Sequence, residues 1–186
     1  MRKSFFLFLF PLLFSGCGEV NCPAFPEKFL GWFPLVIGAK MVYLNNTDTS
    51  TFQIIESFRS PPSSFKKSCK CECMASSSYS SDISIKSGFQ IEIRCSFSSE
   101  SNIIFDINFK NSNSEDKYNF RYNKSTNVYE HISYTTDYTI GNQTFQNVAV
   151  LEKLTGYTFV KKIFMSPING LLGFVDENDK EWKLVE

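Results

Sequence analysis

Strict alternation constrains this chain more than any other feature. In "NIIFDINFK", Ile103, Phe105, Ile107 and Phe109 stand at every second position, with Ile104, Asp106 and Asn108 between them. "KYNFRYNK" repeats the pattern with Tyr118, Phe120 and Tyr122, and "GFQIEIRCSF" does so with Phe89, Ile91, Ile93, Cys95 and Phe97. Successive side chains of an extended strand point to opposite faces, so these segments predict strands with one face buried and one wet.

The rest of the chain continues in the same manner. "AKMVYLNN" and "TFQIIESF" flank the polar "NTDTS" and read as a hairpin. "NVYEHISY", "FQNVAVLEKL", "YTFVKKIFM", "GLLGFVDE" and "EWKLVE" follow as further short strands. His131, the single histidine, is expected on the strand face opposite Glu130 and Ile132. "DENDKE" lies between two apolar runs and lacks the ligand spacing of a calcium loop, so it reads as a polar hairpin turn. The serine-rich "ASSSYSSDIS" (75–84) reads as a solvent-facing edge or a loop. Only "EKFLGW" predicts a short helix. The expectation is an all-β fold: an antiparallel sheet meander, a curved sheet or incomplete barrel, with at most one short N-terminal helix.

The 20 phenylalanines fit such a sheet, since each ring covers a large area of strand surface. The plain reading is core packing. The alternative is a concave face, lined by Phe105, Phe109, Phe120 and Tyr122, that carries an apolar ligand.

The front end sets the compartment. Arg2 and Lys3 precede an apolar run from Phe5 to Phe14, followed by the small residues Ser15 and Gly16, which is the shape of a secretory signal. The run is about ten residues, against about 20 for a bilayer-spanning helix. Leu13-Phe14-Ser15-Gly16-Cys17 resembles the lipobox of bacterial lipoproteins, with Phe14 where leucine is usual. The resemblance implies cleavage before Cys17, acylation of its thiol by palmitate-like chains, and acylation of the new amino terminus. Two or more chains anchor a protein stably where one does not. Three segments are therefore expected: a signal peptide (1–16), a lipidated tether (17–21) and a single β domain (22–186), carried on the bacterial envelope and on its outer membrane rather than the inner. Loss of Arg2 and Lys3 with the signal leaves a slightly acidic chain, without the concentrated basic face that nucleic acid requires.

Outside the cytoplasm, cysteines tend to form disulfides. In "SCKCECM", Cys69, Cys71 and Cys73 are spaced two apart. On a strand, Cys69 and Cys73 lie about 13 Å apart, beyond the window of about 4.4–6.8 Å for a bridge. Partners must come from elsewhere, and Cys95 and Cys22 are the candidates. A cross-strand bond from Cys95 to a ladder rung is feasible, since a non-hydrogen-bonded antiparallel pair brings Cα atoms to about 4.5 Å. Connectivity stays open. A zinc site would usually draw on paired C-x2-C knuckles, which C-x-C-x-C does not supply, so no metal or other cofactor is expected.

Chemistry is scarce. The chain has no G-x-S-x-G elbow, H-E-x-x-H, P-loop or dinucleotide fingerprint, so no catalytic residue and no enzyme is expected. The head "CPAFPEKFLGWFP", the "CKCEC" ladder and the tail "INGLLGFVDENDKEWKLV" resemble a group of small bacterial lipoproteins with no assigned activity. That resemblance implies a lipid anchor and a β body, and nothing on mechanism. The expected role is binding or structural, within a surface or periplasmic assembly, with a protein partner and a membrane as contacts.

Overall fold

A computed structural model of the chain describes residues 24–32, 36–59, 63–65, 70–82, 90–98, 102–110 and 113–185. It opens with a 3-10 helix, Glu27–Trp32, where the short helix was expected. Thirteen strands follow among the described residues. They are β1 (Lys40–Asn45), β2 (Asp48–Arg59), β3 (Ser63–Phe65), β4 (Lys70–Asp82), β5 (Gln90–Ser98), β6 (Ile103–Lys110) and β7 (Glu115–Asn123). The rest are β8 (Val128–Glu130), β9 (Ser133–Ile140), β10 (Gln143–Glu152), β11 (Val160–Ser166), β12 (Gly170–Asp176) and β13 (Glu181–Leu184).

The strands form a single sheet in the order β8-β7-β6-β5-β4-β2-β1-β13-β12-β11-β10-β9, with β3 beside β4. The expected β1–β2 hairpin forms, tighter than drawn from sequence: pairing continues to Asn45↔Asp48, so only Asn46 and Thr47 turn. Between β9 and β10 the turn is Gly141-Asn142, with Gly141 at a φ of 56°, a left-handed conformation that glycine adopts without steric cost. "DENDKE" is a turn, as expected. The Asp176 carboxylate organises it by accepting from the backbone N–H of Asn178 (2.8 Å) and Lys180 (3.0 Å) and from Trp182 Nε1 (3.0 Å).

The alternation translates directly into burial. Ile103, Phe105, Ile107 and Phe109 on β6, Tyr118, Phe120 and Tyr122 on β7, and Ile91, Ile93 and Cys95 on β5 are all buried. The sheet curves so that this face meets the opposite half. Phe109 lies 5.7 Å from Phe174 on β12, and the Tyr43 hydroxyl of β1 donates to the Leu171 carbonyl at 3.0 Å. Phe29 and Trp32 of the 3-10 helix enter the same core. Trp32 lies 5.5 Å from Phe105 and 5.0 Å from Phe120, and those two rings stack at 4.4 Å.

Two local expectations are corrected. "ASSSYSSDIS" is largely the body of β4, an interior strand paired with β2 on one side and β5 on the other. Main-chain ladders on both sides hold it, and these need no apolar period in the sequence. "NVYEHISY" is not one strand: it breaks between β8 and β9, with His131 exposed at a φ of 66°. Cys95 is in register with Ala75 of β4 on one side and Phe105 of β6 on the other, and Cys73 is in register with Phe97.

Burial also makes the fold alkali-sensitive. It raises the phenol pKa of Tyr43, Tyr118, Tyr129, Tyr134 and Tyr138, with Tyr134 pushed up to about 12. A raised phenol stabilises the fold fully below the unfolded value of about 10, and that contribution fades as pH rises through the folded value. The urea midpoint is expected to hold to about pH 9 and fall steeply above about pH 10, with tyrosinate absorbance rising in the same transition. A midpoint unchanged across that range would contradict the burial of Tyr43, Tyr118 and Tyr138.

Candidate functional site

The two ends of the sheet are neighbours in sequence. β8 closes at Glu130 and β9 opens at Ser133, so the end strands are separated by His131 and Ile132 alone, a span of at most about 10 Å. They are nevertheless not paired with each other: β8 pairs with β7, and β9 with β10. The result is a seam. β8 covers only Arg121–Asn123 of β7, so the outer edge of β7 from Glu115 to Phe120 and the outer edge of β9 carry no ladder among the described residues.

Inside the seam, side chains replace the missing ladder. Asp116 is fully buried, and its carboxylate accepts from the backbone N–H groups of Thr158 (2.7 Å), Phe159 (2.8 Å) and Val160 (2.9 Å). Two residues on, the Tyr118 hydroxyl donates to the Val160 carbonyl at 2.6 Å. β7 thus clamps the start of β11, which is not its sheet neighbour.

Outside the clamp lies a cleft of about 480 Å³, lined by Lys117, Asn119, His131, Ser133, Glu152 and Lys153 among others. Its charges are partly committed. Lys117 pairs with Glu115 (2.9 Å) and Glu152 with Lys162 (2.9 Å), while Lys153 Nζ sits 4.7 Å from the centre of the Tyr118 ring. Ser133 Oγ donates to the Val150 carbonyl at 3.3 Å. No residue here pairs a nucleophile with a base within hydrogen-bond reach. The offered surface is polar main chain and exposed side chain along β9, including the half-exposed Tyr134, whose phenol is raised by burial and by the nearby Tyr129 phenol. Unpaired strand edges of this kind accept an added strand.

The sequence-predicted cysteines fall elsewhere. Cys17, Cys22 and Cys69 lie outside the described residues. Cys71 is in register with Ser64 and Cys73 with Phe97, both on the backbone of β4. Cys95 is buried on β5. Asp116 was missed, although a signal was there. Carrying the Tyr122-Phe120-Tyr118 alternation two residues back places a carboxylate on the core face. Compared with known protein families, with curated proteins and with solved structures, the chain matches none.

Proposed function

We propose that the chain is a lipid-anchored component of the bacterial cell envelope, held by acyl chains on Cys17, that binds an extended segment of a protein partner along the open edge of β9. The observation that carries the reading is the seam: two end strands joined by two residues, left without a mutual ladder, beside a polar cleft. Proteins usually blunt a long free edge with charge, proline or a covering element. β9 runs for eight residues with Asp137 as its one charged side chain. Main-chain pairing would give affinity, and the cleft side chains would give selectivity.

A role in binding agrees with the scarcity of catalytic groupings, and the filled aromatic face is why it is preferred to a carrier of apolar ligands. The likeness of the head, ladder and tail to small bacterial lipoproteins supports the same placement, with the outer membrane as the expected site.

The test is photo-crosslinking in intact cells, with a benzophenone side chain at Tyr134 or Asp137 on β9, and at Ile55 on β2 as the comparison. A discrete adduct from the β9 positions, absent from Ile55, is expected. An adduct of two copies of the chain would make the partner a second copy. Adducts from Ile55 alone, or none from β9, would remove the edge as the docking site.

A further inference from the structure

We infer that the end of the sheet that carries the 3-10 helix seats on the lipid surface, so that the seam opens at the far end, away from the membrane. The inference deepens the anchored reading above and rests on it.

The 3-10 helix is the hub of one end of the sheet. Arg59 at the end of β2 donates to the Phe25 carbonyl at 3.1 Å. Lys28 Nζ donates to the Tyr122 hydroxyl at 3.2 Å, and that hydroxyl donates to Asn127 Oδ1 in the β7–β8 turn at 2.7 Å. A β-carbon at Gly31 would collide with the Pro167 carbonyl, so only glycine lets the helix lie against the Pro167–Asn169 turn. Ala24, the first described residue, lies next to Phe25 at this end. Six residues separate it from Cys17, so the two lie at most about 24 Å apart along the chain.

This end also displays aliphatic side chains that the core does not use. Ile168 on the turn touching the helix is 80% exposed, and Val36 and Ile37, four and five residues beyond Trp32, are 68% and 62% exposed. Val128, where β8 leaves the β7–β8 turn, is also exposed. The same end carries Lys28 and Arg59, which bond to Tyr122 and Phe25, with Lys40 opening β1 and Lys124 in the β7–β8 turn, against Glu27 in the helix and Glu56 on β2. Isolated exposed aliphatics are ordinary on a protein surface. Their gathering around the point where an acylated tether enters, among an excess of basic groups, fits a surface of acyl chains and anionic headgroups.

The seam lies at the opposite end. β11 runs between the 153–159 loop at its start and the Pro167–Asn169 turn at its finish, a length of about 20 Å. The cleft residues Glu152 and Lys153 stand at the loop end, as does Leu154, which is 86% exposed. Seating one end on lipid therefore presents the other to a partner.

The full-length lipidated protein, reconstituted into phosphatidylethanolamine–phosphatidylglycerol vesicles with brominated acyl chains, tests this. Tryptophan is added as I168W, I37W or L154W, and its emission is read as the difference from the parent, which carries Trp32 and Trp182; all three positions are exposed, so the core is undisturbed. Intact mass of the same samples reads the acyl chains on Cys17. With the chains present, I168W and I37W fluorescence is expected to be quenched at least about twofold, as for side chains held at the headgroup–acyl boundary, and L154W to be unaffected. Acyl chains present with equal quenching at both ends, or with none, would overturn the seating and leave the anchor standing. A mass without acyl chains would overturn both.

Discussion

Replacing Asp116 by alanine is expected to lower the stability of the fold by about 3–5 kcal/mol, a large part of the margin a domain has. The carboxylate is fully buried and accepts three backbone N–H groups at 2.7 to 2.9 Å. Alanine leaves the buried donors of Phe159 and Val160 without an acceptor, and burying an unsatisfied N–H costs more than its bond contributed when made. The loss also cuts the link between β7 and the start of β11, strands that share no ladder. In a chain of this length the melting temperature should fall by about 6–20 °C. Asp116→Asn keeps the volume but turns an N–H₂ toward a backbone donor, so it should recover less than half of the loss. Tyr118→Phe removes the 2.6 Å bond to the Val160 carbonyl and should cost about 1 kcal/mol alone. Both side chains hold the same residue, Val160, so the double variant is expected to be less destabilised than the two singles together. Urea denaturation of the parent and the four variants measures the free energies, and thermal melts of the parent and D116A measure the shift. A D116A variant within about 1 kcal/mol of the parent would mean that the halves are held together by the core alone.

The same residue shows where sequence reading reaches and where it stops. Alternation identified the buried apolar residues of β6 and β7 and Ile91, Ile93 and Cys95 of β5, because a period of two assigns each side chain to a face; Phe97 is half-buried, and Phe89 lies outside the described residues. Trp32 and Phe29 were legible as a short helical turn at the head of the chain. The period does not say which strand lies beside which. The seam depends on β1 pairing with β13 while β8 and β9 part company, and these are facts of long-range order. β4 escaped for the opposite reason: Ser76 to Ser78, Ser80 and Ser81 offer no apolar rhythm to read, while its ladders with β2 and β5 are made by main chain. His131 read as strand because "YEHISY" has the composition of one; only the backbone, bent into the left-handed region, reveals the break.

The second large effect is expected at Trp32, where alanine should cost about 3–5 kcal/mol. The indole is completely buried, lies within 5.0 to 5.5 Å of the rings of Phe120, Tyr129 and Phe105, and donates from Nε1 to the Tyr129 hydroxyl at 3.1 Å. It fills part of the concave face that a carrier would need to keep empty. Truncation should leave an apolar void, and such voids take up small aromatic molecules. Free indole is therefore expected to raise the melting temperature of W32A and to leave the parent unchanged. Trp32→Phe separates the two contributions: it keeps most of the ring contacts and loses the bond to Tyr129, at a cost of about 1–2 kcal/mol. The same titration decides between binding module and carrier. If the parent already takes up indole or an apolar fluorophore stoichiometrically, its concave face is open in solution, and the carrier reading displaces the docking edge. If only W32A does so, the chain occupies that face itself, and what it offers a partner lies at its edges.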